Sequence, residues 1–257
     1  MKYICCWSGG KDSTASIILA HEHHEPLDTI VFSEVVFDKT QNISGENPKH
    51  MDFVLNTAKP LFEYWGYEVL ILHSDKDYLD IFNHVIEKPR KHMEHKGMRT
   101  GFLPFGTCHM KRDCKLKPIK DYIKSLNEPY VQYVGIGIEE QTRLDSLHKD
   151  TTCISLLEKY NYTTTMAKEK CEEYNLLSPA YQYSKRGGCW FCPNAKIAEH
   201  EYIRNYDRNT WDRFVALEAE ENIVNYKWNI YGETLKERDE QLDWKSRQMN
   251  MFDYMNL

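Results

Sequence analysis

The sequence of 257 residues lacks long hydrophobic runs. No stretch approaches the roughly 18 consecutive apolar residues that suggest a transmembrane helix, so we expect no membrane association. The first eight residues, Met-Lys-Tyr-Ile-Cys-Cys-Trp-Ser, lead into glycines and not into the apolar segment of a secretory signal, so we expect a cytoplasmic protein. The sequence also contains no linker rich in glycine and serine and no internal repeat.

The sequence contains eight cysteines, and we expect no secretion signal. Disulfide frameworks are typical of oxidising compartments, so in a cytoplasmic protein these cysteines are expected to be reduced thiols, metal ligands or redox groups.

The formal net charge of −6 argues against indiscriminate binding of nucleic acid. Positive charge is nevertheless concentrated between Glu87 and Lys124. This stretch contains eleven lysines or arginines but only four acidic residues. Two interpretations remain open for this stretch: a solvated protein face, or a surface that contacts a polyanionic substrate.

Apolar runs that suit strands alternate with segments of helical spacing in the first part of the chain. Strands are predicted at residues 3–7, 29–33, 68–72 and 130–136, and helices at 13–21, 47–67 and 117–126. This alternation predicts an α/β fold with a doubly wound, mostly parallel sheet. Strand patterns fade beyond residue 150, which suggests a nucleotide-binding α/β domain over residues 1–150 and a helical C-terminal region over residues 151–257.

The hexapeptide Ser-Gly-Gly-Lys-Asp-Ser at residues 8–13 lies between the first predicted strand and the first predicted helix. Two glycines let backbone N–H groups converge on a ligand, and the helix N-terminus adds partial positive charge. Lys11 supplies a full charge, the two serines supply hydroxyl donors, and Asp12 either holds Mg²⁺ or is simply a first-turn residue. The pattern favours a phosphate site over an ordinary strand-to-helix turn.

This hexapeptide lacks the spacing of the P-loop, which has four residues between its two glycines. It resembles instead the PP-loop of the adenine nucleotide alpha hydrolase superfamily. That superfamily includes ATP pyrophosphatases, tRNA-thiolating enzymes and sulfonucleotide reductases, so the resemblance implies that an adenine nucleotide is bound.

Three further segments resemble the phosphoadenosine-phosphosulfate reductase-like branch of that superfamily. They are residues 112–119 (Arg-Asp-Cys-Lys-Leu-Lys-Pro-Ile), residues 134–143 (Val-Gly-Ile with a following Glu and Arg), and residues 177–194 (Ser-Pro-Ala-Tyr followed by Arg-Gly-Gly-Cys-Trp-Phe-Cys-Pro-Asn). Gly137 and Gln141 depart from the arginine and serine that the branch has at these positions, so one anion contact is not expected here.

The resemblance implies a set of site residues. The expected catalytic residues are Lys11, Asp12 and Arg143. The expected nucleotide-binding residues are Ser8, Gly9, Gly10, Lys11, Asp12, Ser13, Asp38, Gly135, Glu140 and Arg186. Asp38 is included because it follows the second predicted strand, where the superfamily often has an acid near the nucleotide.

Cys189 and Cys192 form a Cys-x-x-Cys pair, and Cys108 and Cys114 could supply two more thiolates. Four thiolates suit either a [4Fe–4S] cluster or tetrahedral Zn²⁺. The resemblance favours the cluster, while zinc and metal-free thiols remain alternatives.

We expect an enzyme that cleaves ATP, with Mg²⁺, to AMP and pyrophosphate and so activates a substrate for sulfur transfer. A nucleic acid such as DNA or tRNA is the expected acceptor, and a protein is a candidate sulfur donor. The alternative is reduction of phosphoadenosine phosphosulfate, but no cysteine follows Cys192 to serve as the nucleophile that such reductases carry near their C-terminus. A non-catalytic nucleotide-binding module is a further alternative.

Overall fold

The computed structural model describes residues 1–89, 91–103, 108–184, 188–229 and 231–255, apart from the side chains of residues 249–255. The contacts divide the chain into two compact units. The first unit comprises residues 1–35, 46–75 and 113–187, and the second comprises residues 36–45, 76–112 and 188–257. The boundary expected at residue 150 lies inside the first unit, because the sheet of that unit extends beyond it.

The strands are short. They are β1 (Lys2–Trp7), β2 (Thr29–Glu34), β3 (Val36–Asp38), β4 (Ile43–Ser44), β5 (Glu68–His73), β6 (Arg99–Gly101), β7 (Tyr130–Tyr133), β8 (Cys153–Ile154) and β9 (Ile223–Asn225).

The α-helices are α1 (Lys11–Glu22), α2 (Pro48–Asp52), α3 (Lys59–Tyr64), α4 (Tyr78–Phe82), α5 (Lys117–Ser125), α6 (Gln141–Leu147), α7 (Leu156–Lys159), α8 (Thr164–Glu173), α9 (Ile197–Tyr206), α10 (Arg208–Ala216) and α11 (Leu235–Met255). Two π-helical segments (Phe53–Ala58 and Lys111–Leu116) and three 3₁₀ segments (Met93–His95, Pro179–Gln182 and Leu217–Ala219) complete the helical elements. Within the described part of the chain, no helix is long and apolar enough to cross a membrane.

The first unit is built on a five-stranded sheet with the order β5-β2-β1-β7-β8. All four neighbouring pairs are parallel. The predicted α/β fold with a parallel sheet is therefore confirmed, as is the mainly helical C-terminal region. The chain proceeds from β1 towards one edge of the sheet and later returns to the other side of β1 with β7, so the strand order reverses between β1 and β7. Ligands of open α/β sheets bind at the carboxyl ends of strands beside such a reversal.

Helix α1 is the most deeply buried helix element of this sheet unit, with every residue from Ser13 to Ala20 buried. Its packing partners include β1, α7 and α8. Small polar residues are tolerated inside because each finds a partner: Thr14 accepts a hydrogen bond from the indole Nε1 of Trp7 (2.9 Å), and Ser16 donates to the carbonyl of Asp12 (2.9 Å). Burying Ile17, Ile18 and Leu19 contributes about 1.5–3 kcal/mol each, so the helix that begins at the glycine loop is firmly anchored.

The single helix predicted over residues 47–67 is divided into α2, a π-helical segment and α3. Proline explains the irregularity. Pro60 has no N–H to donate to the preceding turn, and just before it the N–H of Lys59 donates to the carbonyl of Val54, five residues back.

Pro118 has the same effect at the second π-helical segment, which precedes α5. It has no N–H for the carbonyl of Cys114, and the hydroxyl of Ser33 at the end of β2 donates to that carbonyl instead (2.9 Å). The sheet is thereby linked to the segment that carries Cys114.

The second unit contains an antiparallel pair, β3 and β4, and a parallel pair, β6 and β9. Its core is aromatic. The ring of Phe37 contacts Tyr78 (5.3 Å between centroids), Trp190 (4.7 Å) and Phe191 (5.7 Å). Trp190 and Phe191 are the two residues between the cysteines of the Cys-x-x-Cys pair, so this hairpin is anchored by its middle residues.

The Ser33 contact generates a stability prediction. Substitution Ser33→Ala should lower the free energy of unfolding by about 0.5–1.5 kcal/mol because the carbonyl of Cys114 loses the hydrogen bond that Ser33 donates. The measurement is urea denaturation followed by circular dichroism. The control is Ser125→Ala, which removes an exposed hydroxyl that donates to Tyr122 (2.6 Å) and should cost less than about 0.5 kcal/mol. Equal effects of the two substitutions would contradict this account.

Candidate nucleotide site

The glycine loop follows β1 and leads into α1. Gly9 has φ of +69°, a conformation that non-glycine residues rarely adopt. A Cβ at Gly9 would lie 2.4 Å from Cε1 of His50, so this position excludes a side chain for two independent reasons. Gly10 precedes the helix, and its carbonyl accepts hydrogen bonds from the N–H of Thr14 (3.0 Å) and from the hydroxyl of Ser13 (3.1 Å).

The two serine hydroxyls stabilise the loop itself. The backbone N–H of Ser8 donates to Oγ of Ser13 (3.2 Å), and Oγ of Ser8 accepts from the N–H of Gly10 (3.3 Å). Because the proton of the Ser13 hydroxyl is directed to Gly10, Oγ of Ser8 is the donor in the 3.2 Å contact between the two hydroxyls. Ser13 is buried, whereas Ser8 is exposed and is the hydroxyl that a ligand can reach.

Lys11 and Asp12 form an ion pair at the start of α1, with 2.6 Å between Nζ and Oδ1. The two side chains are about 20% and 29% exposed, so both are accessible to a ligand. Burial raises the pKa of Asp12, although Lys11 opposes the shift and the charges of Glu140 and Arg143 also act on this carboxylate. An anion that attracts Lys11 would release the Asp12 carboxylate for other partners.

The segment after β7 lies against the N-terminus of α1. A Cβ at Gly135 would be 2.5 Å from the carbonyl carbon of Asp12, so this close approach requires glycine. Glu140 accepts a hydrogen bond from the N–H of Gly137 (3.2 Å) and is paired with Arg143, whose side chain is 55% exposed. The structure thus brings Gly135, Glu140 and Arg143 to the end of α1 that carries Lys11 and Asp12.

The departure from the family pattern at Gly137 has a packing reason. A Cβ there would lie 2.6 Å from Oε2 of Glu139 and 2.9 Å from Cγ2 of Thr164, at the start of α8. No arginine fits at this position without moving α8.

His50, Ser178 and Tyr181 belong to the site but were missed as functional residues. His50 is buried between two polar partners, with Nε2 at 3.1 Å from the carbonyl of Ser8 and Nδ1 at 2.8 Å from Oγ of Ser178. Because a carbonyl only accepts, Nε2 carries the proton and Nδ1 accepts from Ser178. The hydroxyl of Tyr181 accepts from the backbone N–H of Lys11 (3.0 Å).

The Ser-Pro-Ala-Tyr segment was visible in the sequence as a family resemblance, but its partners were not. His50 does not lie at a characteristic sequence spacing from any other site residue, so no motif identified it. An ion pair between the buried Glu46 and the partly exposed Lys115 also lies near this histidine, with 2.7 Å between Nζ and Oε1, and both charges act on the pKa of His50.

Asp38 lies in the second unit and is fully engaged there. Its Oδ1 accepts from the N–H and the hydroxyl of Thr40 (2.8 and 2.6 Å), and its Oδ2 is paired with Arg213. These hydrogen bonds lower the pKa of Asp38 to about 2 despite its burial. A turn and an ion pair account for this carboxylate, and its predicted role in nucleotide binding stays a prediction. Arg186, another predicted binding residue, lies outside the described residues.

The predicted cysteine ligands belong to two different units, and their role as metal ligands stays a prediction. Cys114 is fully buried in the first unit, whereas Cys108, Cys189 and Cys192 belong to the second. Over the ranges that the structure describes, no three Cys, His, Asp or Glu side chains are grouped so that they could hold a metal ion. Cys108 is exposed, and its sulfur accepts from the N–H of Lys111 (3.3 Å).

No protein-family profile matches the sequence, and no curated protein matches it. Among solved structures, the chain is similar to U34-tRNA thiolase NcsA from Methanococcus maripaludis, determined with its [4Fe–4S] cluster. The likeness has 14% sequence identity and a TM-score of 0.41, and it covers 95% of this chain and 72% of the other.

The glycine loop generates a matched pair of substitutions. Gly9→Ala and Gly66→Ala both place a Cβ on a backbone of positive φ (+69° and +94°), and each should cost about 1–2 kcal/mol of stability. Nothing lies within 4 Å of a Cβ at Gly66, whereas a Cβ at Gly9 collides with His50. We therefore expect Gly9→Ala alone to abolish ATP binding, measured with a fluorescent ATP analogue. Retained binding by Gly9→Ala would show that the loop is not the site.

The burial of His50 generates a pH prediction. Burial lowers its pKa, so the folded protein keeps the ring neutral while the unfolded chain takes up a proton below about pH 6.5. The stability that the neutral ring contributes is therefore present above pH 6.5 and is lost as the pH falls towards the folded-state pKa.

Substitution His50→Gln should reduce the pH dependence of the unfolding free energy below pH 6.5 by up to about 1.4 kcal/mol per pH unit. Urea denaturation at several pH values measures it. The exposed His84, changed to Asn, is the control and should leave the slope unchanged. An unaltered slope in His50→Gln would show that His50 is not held neutral.

Proposed function

We propose that this protein is a PP-loop enzyme that binds ATP and cleaves it to AMP and pyrophosphate in order to activate a substrate. The observation that carries the proposal is the convergence of Lys11, Asp12, Gly135, Glu140 and Arg143 at the N-terminus of α1, beside the reversal of strand order. Backbone N–H groups of a helix start and two cationic side chains suit the phosphates of a nucleotide.

The site carries two positive and two negative side chains, so it does not by itself neutralise a triphosphate. Mg²⁺ would supply the missing charge, and the partly exposed carboxylate of Asp12 is an oxygen ligand of the kind that this ion prefers. When Lys11 moves to a phosphate, Asp12 loses its present partner and becomes available for that role.

In the proposed reaction an oxygen atom of the acceptor attacks the α-phosphorus of ATP. The bond from this phosphorus to the oxygen bridging the α- and β-phosphates breaks, and pyrophosphate leaves with the bonding electrons. Lys11 and the N–H groups of α1 stabilise the charge that develops on the leaving group, while Arg143 orients the α-phosphate. A sulfur nucleophile then attacks the acceptor carbon, and AMP departs with the oxygen.

We propose a nucleic acid, DNA or tRNA, as the acceptor, with sulfur delivered by a donor protein. The excess of positive charge between residues 87 and 124 supports this assignment, because a basic surface suits a polyanionic acceptor. Cys108, Cys114, Cys189 and Cys192 stay the candidate ligands of a [4Fe–4S] cluster, and no step of the reaction is assigned to it.

Reduction of a sulfonucleotide is less well supported, because it needs a thiolate near the loop. Two thiols contact the loop: Cys5, with 4.0 Å from its sulfur to the carbonyl of Ser13, and Cys171, with 3.2 Å from its sulfur to the carbonyl of Lys11. Burial raises the pKa of Cys171 to about 12, so it stays protonated at neutral pH. Burial also raises the pKa of Cys6 to about 12.

The test is release of pyrophosphate from ATP and Mg²⁺ in the presence of tRNA or of DNA. We expect pyrophosphate and AMP in equal amounts, and a loss of at least about 100-fold in Lys11→Ala because the leaving group loses its positive charge. Lys168→Ala is the control, since it removes an exposed lysine paired with Glu172 on α8 (3.1 Å) and should retain full activity. Release of orthophosphate alone, or no ATP cleavage with either nucleic acid, would refute the proposal.

A further inference from the structure

Three hydroxyl groups meet at the glycine loop, those of Ser8, Ser13 and Tyr181, and their protons are used differently. The hydroxyl of Ser13 donates to the carbonyl of Gly10 (3.1 Å), and that of Ser8 donates to Oγ of Ser13 (3.2 Å). The hydroxyl of Tyr181 accepts the N–H of Lys11 (3.0 Å), so its own proton is directed elsewhere. Among the residues that the structure describes, none accepts that proton. Tyr181 therefore brings an uncommitted donor to the loop.

This hydroxyl keeps its proton at neutral pH. Burial raises the pKa of Tyr181, the N–H of Lys11 opposes the shift, and the charge of Asp12 supports it. A tyrosine hydroxyl ordinarily loses its proton only near pH 10. Tyr181 is thus a hydrogen-bond donor under physiological conditions, and its side chain is partly exposed.

Gly10 leaves space beside the same hydroxyl. Its backbone is extended (φ −79°, ψ 157°), a conformation that any residue adopts, so the shape of the chain does not require glycine here. A Cβ at Gly10 would lie 3.2 Å from Oγ of Ser8 and 3.4 Å from Oη of Tyr181. Of the described residues outside 9–11, no other has an atom within 4 Å of that point. Two hydroxyl groups therefore border a space that suits an oxygen atom of a ligand.

The position of Tyr181 is fixed by its own segment. Its N–H donates to the carbonyl of Ser178 (3.1 Å), within the 3₁₀ segment Pro179–Gln182. Oγ of Ser178 also accepts the N–H of Ala180 (3.3 Å) and contacts Nδ1 of His50 (2.8 Å). Because moving the ring would disturb these contacts, we expect a ligand to bind to the hydroxyl of Tyr181 and not to replace it.

We propose that Tyr181 donates a hydrogen bond to a phosphate oxygen of the nucleotide, and that this oxygen occupies the space beside Gly10. The N–H of Lys11 polarises the hydroxyl and so makes it a stronger donor. This inference rests on the proposed function and adds a substrate-contacting residue from the Ser-Pro-Ala-Tyr segment. Inorganic pyrophosphate, the leaving group of the proposed reaction, is a probe that requires no turnover.

The first test is calorimetric titration of the full chain with inorganic pyrophosphate and Mg²⁺. Tyr181→Phe should weaken binding at least about tenfold, because a charged phosphate loses a donor. Gly10→Ala should weaken it by a similar factor, since the methyl group fills the space while the hydroxyl remains. Tyr183→Phe is the matched control: it removes a hydroxyl of the same segment that donates to Oδ1 of Asn47, and binding should stay within about twofold.

The second test separates direct contact from a structural effect. In NMR spectra of the chain with ¹³Cζ-labelled tyrosine, the signal missing from Tyr181→Phe belongs to Tyr181, and that missing from Tyr183→Phe belongs to Tyr183. We expect pyrophosphate to shift the Tyr181 signal saturably, because its hydroxyl gains a charged acceptor, and to leave the Tyr183 signal in place.

The outcomes distinguish this inference from the nucleotide site itself. Unchanged binding in Tyr181→Phe or in Gly10→Ala, or an unmoved Tyr181 signal, would overturn the inference. Tighter binding in Tyr181→Phe would also overturn it, since the hydroxyl would then compete with the ligand for the N–H of Lys11. In each of these cases weakened binding in Lys11→Ala would leave the nucleotide site standing, whereas no binding by the unmodified chain would refute both. Should Tyr181→Phe fail to fold, Gly10→Ala remains as the test.

Discussion

The imidazole of His50 determines the shape of the glycine loop. It occupies the space that a side chain at Gly9 would need, and it holds the carbonyl of Ser8 through Nε2 while Ser178 fixes Nδ1. With that carbonyl directed to the imidazole, the adjoining N–H groups and the exposed hydroxyl of Ser8 are left for a ligand. A neutral ring is essential to this arrangement, because a protonated Nδ1 could no longer accept from Ser178. The loop therefore keeps this geometry only while the ring of His50 is buried and neutral.

The second requirement of the site is close approach of two backbones at the reversal of strand order. Because β7 is the neighbour of β1, the residue after β7 meets the first turn of α1, and the 2.5 Å distance from a Cβ at Gly135 to Asp12 leaves glycine as the fitting residue. The same approach brings Glu140 and Arg143 within electrostatic reach of Asp12. The order of the strands therefore causes both the close approach of Gly135 to Asp12 and the nearness of the Glu140 and Arg143 charges to Asp12.

The sequence predicted the parts of the fold that depend on local pattern. The strands at β1, β2, β5 and β7 and the helices α1 and α5 follow from apolar runs and helical spacing, and the glycine loop follows from its position between strand and helix. The interruption of the helix over residues 47–67 required the effect of Pro60 to be recognised. Strand β8 was missed because two residues give no periodic signal.

Contacts between residues that are far apart along the chain could not be predicted from local sequence patterns. Nothing local to His50 or Tyr181 indicates that each binds the glycine loop, and nothing local to Asp38 indicates Arg213 as its partner. The division into two units, each assembled from three segments, was equally hidden. The expected cysteine set stays a prediction, and spacing along the chain does not reveal that Cys114 is buried in the first unit.

Tyr181 and Ser178 have a consequence for how the protein is made. Tyr181 contacts Lys11 of the loop, which lies 170 residues earlier in the chain. Ser178 contacts His50, which lies 128 residues earlier and itself contacts the loop. During synthesis the ribosome therefore exposes the glycine loop long before the residues that complete it. Contacts of such sequence separation form late and slow folding. The loop is completed only when the Ser-Pro-Ala-Tyr segment at residues 178–181 has been synthesised, so the nascent chain should not bind a nucleotide before that point.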